Sequence, residues 1–206
     1  MDLPAALLAH LHGLTVSIGE DDQDFDDTLL ALTTALHSMA TSYCGFQLTI
    51  VERDWPVTLT TFTGGHDVPL GTSLRLPLGL VSPTIDGESR VVFYAGVSGA
   101  FTDLAADLSH ALGGVPVDQR SSAADGADGE PRVDGHRKMI MLDADLSPIS
   151  RASGLTGLAE LTMLNRAVGM LILLGHDIEQ AHHVLRREAT AAGVEPHIYA
   201  ARIVRR

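Results

Sequence analysis

Residues 155–206, the last quarter of the chain, read LTGLAELTMLNRAVGMLILLGHDIEQAHHVLRREATAAGVEPHIYAARIVRR. Apolar residues recur here at helical spacing, and turn and capping residues interrupt them twice, which predicts helices over residues 155–174, 176–192 and 195–206. Asp177 followed by Gln180 is a capping-box pair at the start of the second helix. Gly193 fits the end of that helix, and Pro196 fits the first turn of the third. The segment is therefore predicted to be a three-helix bundle.

The first of these predicted helices is apolar on nearly every side. Its exceptions are Thr162, Asn165, Arg166 and Gly169. A helix of this kind is buried inside a bundle or shared with a partner chain. We therefore expect the protein to form a homodimer.

Upstream of the helical segment, four short stretches have the composition of β-strands: residues 46–53, 56–63, 73–78 and 90–95. Short connections between them favour antiparallel neighbours, and helical spacing over residues 28–43 and 100–112 predicts a helix before and after the strands. These elements predict an α+β domain over residues 1–113, an antiparallel sheet with flanking helices. The next residues are rich in Gly, Asp, Ser and Pro, so residues 114–150 are predicted to be a linker to a helical domain over residues 151–206.

The composition limits the class of protein. The chain has 206 residues, 45% of them hydrophobic, which allows one or two compact domains with a core. The single cysteine, Cys44, cannot form an internal disulfide, which indicates a reducing compartment. The first residues lack the basic region of a signal peptide, and no apolar stretch approaches the roughly 20 residues of a membrane span. We expect a cytoplasmic protein that does not enter a membrane.

The charge is unevenly distributed along the chain. The formal net charge is -12, yet residues 1–150 contain 7 basic and 21 acidic side chains, and residues 151–206 contain 7 basic and 5 acidic ones. A nucleic-acid-binding domain of the usual, strongly basic kind is excluded for the chain as a whole. Binding to a polyanion is therefore predicted only for the last segment.

One motif raises the question of catalysis. Residues 96–100, GVSGA, resemble the turn that carries the nucleophilic serine of some hydrolases, although Ala100 replaces the final glycine. His110 and His136 follow, but nothing in the sequence positions either of them beside Ser98. The alternative is that Ser98 caps the following helix. The spacing of the histidines and acidic residues fits no metal site, so we expect neither an enzyme nor a metal or cofactor.

Arginines on the last two predicted helices indicate a binding function. Arg202, Arg205 and Arg206 lie at i, i+3 and i+4 and so share a helix face, while Arg186 and Arg187 lie on the polar side of the preceding helix. Guanidinium groups bind phosphate in a fork, although arginines near helix C-termini also complement the helix dipole. Glycine in a helix interior costs about 1 kcal/mol relative to alanine, so Gly169 predicts a close approach of another backbone.

Residues 164–204 resemble an ANTAR domain, a three-helix RNA-binding module that causes transcription antitermination by stabilising paired RNA hairpins. The matching positions are Ala167, Gly169, Ala181, Leu185, Arg186, Arg187 and Ala200. Residues 73–108, SLRLPL…VVFYAGVSGAFTDLAADL, resemble the divergent GAF-type sensor domain that precedes ANTAR in actinobacterial regulators. One position departs from the family pattern, because Val168 stands where many members have lysine, which removes a cation from the expected RNA contact.

The resemblance implies a transcription regulator in which a GAF-like sensor, with a small molecule as its ligand, controls an RNA-binding output domain. The predicted RNA contacts are Asn165, Arg166, Gly169, Arg186, Arg187, Arg202 and Arg205. Two alternatives stay open. The last helix could read DNA, or the tail could be a degenerate output domain in a protein that only senses and dimerises.

Overall fold

The computed structural model describes residues 3–17, 22–63, 69–85, 87–119, 139–146 and 153–205. The helices and strands are, in chain order, α1 (Leu3–Ser17), α2 (Asp22–Met39), β1 (Tyr43–Glu52), β2 (Trp55–Phe62), β3 (Thr72–Pro77), β4 (Arg90–Ala95), α3 (Thr102–Ala111), β5 (Val117–Gln119), β6 (Ile140–Leu142), β7 (Gly154–Thr156), α4 (Leu158–Leu173), α5 (Ile178–Ala191) and α6 (Pro196–Val204). The chain divides into two compact units, Met1–Gly154 and Leu155–Arg206.

The mixed α+β class predicted from the sequence is confirmed. The seven strands among the described residues form one sheet, in the order β5-β6-β3-β4-β1-β2-β7, and its pairs are antiparallel at β1–β2, β1–β4, β3–β4 and β3–β6. β5 and β6 pair in parallel. The sheet is thus mostly antiparallel, as the short connections between the predicted strands indicate.

One face of the sheet carries the main core of the first unit. Alternate residues of the strands, such as Phe46, Leu48 and Phe93, are buried there against leucines of α1, α2 and α3. Side chains alternate between the two faces of a strand, so the period-two pattern seen in the sequence places these apolar residues on the face covered by helices.

The predicted linker over residues 114–150 needs correction at its two described ends. Val117–Gln119 and Ile140–Leu142 are strands of the sheet, and Ile140, Met141 and Leu142 are at most 4% exposed. They escape prediction because a three-residue strand is too short to show a period. Residues 120–138, the centre of the predicted linker, lie outside the described residues.

The three predicted helices of the second unit are present with shorter ends. The first begins at Leu158 instead of residue 155, because Gly154–Thr156 is extended, and Gly157 adopts a left-handed conformation before the helix. The capping box at the start of α5 is confirmed: Asp177 Oδ1 accepts from the Gln180 N–H at 2.8 Å, and Gln180 Oε1 accepts from the Asp177 N–H at 3.3 Å. Pro196 occupies the first turn of α6 as predicted.

Candidate nucleic-acid interface

Small side chains allow the helices of the second unit to contact one another closely. Ala167, Ala181, Ala189 and Ala200 are at most 1% exposed. The remaining buried residues of this unit are Leu164, Val168, Leu171 and Leu185. These eight residues take up one side of each helix, so the polar residues are left on the outer sides.

Val168 belongs to this buried set and is 5% exposed. The resemblance to ANTAR domains implies a cation at this position on the RNA-contacting surface. In the structure the side chain instead fills space between helices, so the valine contributes packing and its position is not part of the exposed surface. The valine at this position therefore removes no cation from the exposed surface that carries the arginines.

Gly169 lies half-buried in α4, one turn before the helix ends. A Cβ atom added to it would meet no atom within 4 Å apart from the backbone of its own helix. The close backbone approach predicted from the sequence is therefore not made by any residue that the structure describes. The surface beside Gly169 is open.

Gly169→Ala is expected to raise the free energy of unfolding of the second unit by about 1 kcal/mol, because alanine is the better helix former and its methyl group meets open space. Thermal unfolding followed by helical circular dichroism measures the effect. Gly175→Ala is the matched control: that glycine has a φ of +98°, so alanine there should lower the midpoint. A Gly169→Ala midpoint at or below that of the wild type would contradict the open surface.

The predicted arginines are all exposed, and the structure brings two of them together. Arg202 and Arg205 line a groove of about 400 Å³ between α4 and α6. The complete lining is Ala159, Glu160, Met163, His197, Ile198, Ala201, Arg202 and Arg205. Six of these residues were missed by sequence reasoning. Residues 159 and 163 share one face of α4, and residues 198 and 201 share one face of α6. The spacing within each helix does not show that these two faces meet.

The other predicted residues lie outside the lining of this groove. Arg186 and Arg187 are exposed on α5, and because neighbours on a helix point about 100° apart, they do not share one face. Arg187 is paired with Glu188, whose Oε1 accepts from Nη2 at 2.7 Å. Asn165 and Arg166 are exposed on α4, and Arg206 lies outside the described residues.

The charges of the second unit are segregated along its helices. Glu160 and Glu179 lie in the first turns of α4 and α5, and Glu195 is the N-cap residue of α6. Arg202 lies in the last turn of α6, and Arg205 follows it as the C-cap residue. This distribution complements the helix dipoles, and it also places the guanidinium groups of α6 at one end of that helix.

A second exposed feature of this unit is apolar. Leu173 is 87% exposed, Leu174 is 77% exposed, and Ile172 and Ile178 are each more than 40% exposed. All four lie around the turn from α4 to α5. A cluster of exposed aliphatic side chains of this kind is typical of a contact with another molecule.

The first unit has a polar surface of its own on the face of the sheet opposite the helices. Thr49, Thr60 and Ser73 are at most 5% exposed there, and Thr49 Oγ1 lies 3.2 Å from Thr58 Oγ1. Burial raises the pKa of the Tyr94 hydroxyl far above its ordinary value, and the Asp145 carboxylate raises it further. Tyr94 is therefore a neutral hydrogen-bond donor on this face at physiological pH.

Arg75 and Asp145 supply a charge pair on the same face. Arg75 Nε donates to Asp145 Oδ2 at 2.7 Å, and Nη2 donates to Oδ1, so the contact is bidentate. The two side chains are 26% and 20% exposed. The partly exposed pair offers a guanidinium group and a carboxylate on a face that also carries a buried apolar cluster of Cys44, Val92 and Tyr94.

The structure separates Ser98 from His110. Ser98 is exposed in the turn after β4, whereas His110 lies in the last turn of α3, nearly the whole length of a ten-residue helix away. His136 lies outside the described residues. In the part of the chain that the structure describes, no group of three or more His, Cys, Asp or Glu side chains could hold a metal ion.

Comparison with known proteins gives no match, since no family model, no curated protein and no solved structure is similar to this chain. Over the described ranges, no single helix is long and apolar enough to span a membrane, and α4 and α5 meet that test only as a pair bent by 116°.

Proposed function

We propose that this protein is a transcription antitermination regulator whose C-terminal three-helix bundle, of ANTAR type, binds paired RNA hairpins. The observation that carries the proposal is the placement of Arg202 and Arg205, both exposed, on one groove of the second unit. Two guanidinium groups on one surface can hold successive phosphates of a nucleic acid. Arg186 and Arg187 add exposed cations on α5.

RNA loops are the favoured target because the arginines are few. The segment has only a small excess of basic over acidic residues, so electrostatic attraction alone gives weak, non-specific binding. Sequence-specific RNA recognition is made mainly to unpaired loop bases, which need a surface with pockets in addition to charge. A groove with arginines at one end meets both needs.

The first unit is proposed to be the GAF-like sensor that controls this output. Its support is the pair of Arg75 and Asp145, whose side chains keep 26% and 20% of their surface exposed and offer charged groups to a small molecule. The exposed aliphatic cluster around Leu173 and Leu174 supports a homodimer, and two output domains would suit a target with two hairpins.

The test is an electrophoretic shift of the full-length protein with a two-hairpin RNA over a range of salt concentrations. Binding is expected to weaken with salt, and Arg202→Gln combined with Arg205→Gln should reduce the slope of log K against log salt by about 1.4, because two phosphate contacts to single-stranded RNA are lost. Arg53→Gln, in the turn between β1 and β2, is the matched control and should leave the slope unchanged. Duplex DNA of the same sequence, added as competitor, tests the DNA-binding alternative.

A second candidate function keeps the tail as a dimerisation element only. The exposure of Leu173 and Leu174 favours it, since these side chains contribute nothing to phosphate binding. If the wild-type protein, at micromolar concentration, gave no electrophoretic shift with the two-hairpin RNA, RNA binding would be contradicted. Dimerisation would then be the remaining function of the tail.

A further inference from the structure

The groove between α4 and α6 has four chemically different parts, one of which is the imidazole of His197. Ala159, Met163, Ile198 and Ala201 supply an apolar lining. Arg202 and Arg205 lie on the α6 side, and Glu160 lies on the α4 side. Its volume of about 400 Å³ falls within the range of small-molecule sites, so the groove is large enough for a nucleotide and too small for a folded partner.

We propose that this groove takes a single unpaired base from the RNA loop and prefers a base with an exocyclic amino group. The inference rests on the RNA-binding function proposed above and names the part of the RNA that this surface reads. The apolar lining can cover the faces of a flat ring, and the alanines leave a slot where larger side chains would fill it. The arginines can bind the phosphates on either side of the inserted nucleotide.

Glu160 gives the groove its selectivity. A carboxylate accepts hydrogen bonds and donates none, so it pairs with the amino groups of adenine, cytosine and guanine. Uracil has no amino group, and its one donor on this edge, N3–H, lies between two carbonyl oxygens that repel the carboxylate. We therefore expect the groove to bind uracil more weakly than the other three bases.

The same glutamate argues against an acidic peptide in this groove. A peptide carboxylate attracted by Arg202 and Arg205 would also lie near the Glu160 carboxylate, and like charges in one site oppose each other. A nucleotide avoids the conflict because its negative charge is on the phosphate and its amino group is on the base. The carboxylate on α4 and the guanidinium groups on the α6 side thus match the two kinds of polar group that a nucleotide offers.

The experiment selects hairpins with randomised single-stranded loops on the full-length protein and sequences the bound pool. One loop position is expected to be enriched in A, C or G and depleted of U. The preferred hairpin is then measured against Ala159→Leu, which adds a larger side chain to the groove at an exposed position of α4. That variant should bind it about 5- to 100-fold more weakly, the loss expected when an added side chain fills the space that the base occupies. Ala191→Leu, on an exposed position of α5 outside the lining, is the control and should bind as the wild type does.

Glu160→Gln separates base choice from overall affinity. A glutamine side chain both donates and accepts, so the preference over uracil should fall while binding and its salt dependence persist. Thermal unfolding by circular dichroism confirms that each variant is folded.

Three results would overturn the inference. Wild-type protein that binds the hairpins with salt dependence but with no base preference would leave the proposed function standing and remove this groove from it. If Ala159→Leu bound the preferred hairpin as tightly as the control variant, RNA binding would also stand and the groove would not be the base-binding site. A protein or peptide would then be its candidate partner. Absence of binding to the whole pool would instead reject the RNA-binding function itself.

Discussion

Gly45→Ala is expected to destabilise the sheet by about 3 to 5 kcal/mol, the largest effect of any single substitution considered for this protein. A Cβ atom at this position would lie 2.1 Å from the backbone oxygen of Thr61 and 2.7 Å from the Cα of Phe62. Both atoms belong to the backbone of β2, so no side-chain rotation relieves the overlap. The φ of +154° at Gly45 adds strain for any other residue, and the β1–β4 register shifts at the same point.

Urea unfolding followed by tryptophan fluorescence measures the loss of stability of the first unit of the chain. The chain has one tryptophan, Trp55, and it lies at the start of β2, so its emission reports on the sheet and not on the second unit. Gly79→Ala is the matched control, because the nearest atom to its added Cβ is the Cα of Gly87 at an ordinary 3.6 Å. If the two variants unfolded at the same urea concentration, the close pairing of β1 and β2 at Gly45 would be wrong.

The central strands can be predicted from the sequence because each is long enough to show its period. Phe46, Leu48, Leu74 and Leu76 alternate with polar residues, and all four are at most 2% exposed. β5 and β6 could not be predicted in this way, since each has three residues. They join the sheet through pairing with distant parts of the chain, and no local pattern carries that information.

The candidate site was also only partly predictable from local sequence patterns. Spacing along α6 correctly places Arg202 and Arg205 on one face, because both residues belong to the same helix. The groove itself forms only where that face meets Ala159 and Met163 of α4. The burial of Val168 could not be predicted from the sequence. α4 is apolar on almost every side, and only the packing of the neighbouring helices decides which of its sides is covered.

The pairing between Arg75 and Asp145 crosses from the central sheet to a segment that the sequence predicts to be part of the linker. Asp145 follows β6, and four hydrogen bonds besides the charge pair join that turn to β3. Two of them involve hydroxyls of β3: Thr72 Oγ1 donates to Asp143 Oδ1 at 2.6 Å, and the Asp145 N–H donates to Ser73 Oγ at 3.2 Å. The charge pair and these hydrogen bonds together hold the end of β6 against the sheet.

Asp145→Leu is expected to lower the free energy of unfolding of the first unit by about 2 to 3 kcal/mol. The substitution leaves the Arg75 guanidinium largely buried without its carboxylate, and loss of one partner from a fully buried pair costs about 3 to 5 kcal/mol. The expected loss is smaller here because the two side chains keep 26% and 20% of their surface exposed. Trp55 fluorescence in urea again gives the measurement. Glu188→Gln is the control, because it removes one member of an exposed pair whose side chains are 61% and 40% exposed, and it should change stability by less than about 0.5 kcal/mol.

A double-mutant cycle separates the pair from the packing around it. Arg75→Leu combined with Asp145→Leu removes both charges and should recover part of the stability that Asp145→Leu loses, because no unpaired charge remains. Met141, which is 2% exposed and contacts Arg75, then supplies an apolar neighbour for the new leucine. If the double variant lost as much stability as Arg75→Leu and Asp145→Leu lose when added together, the two charges would act independently, and the bidentate contact would contribute no coupling between β3 and the turn after β6.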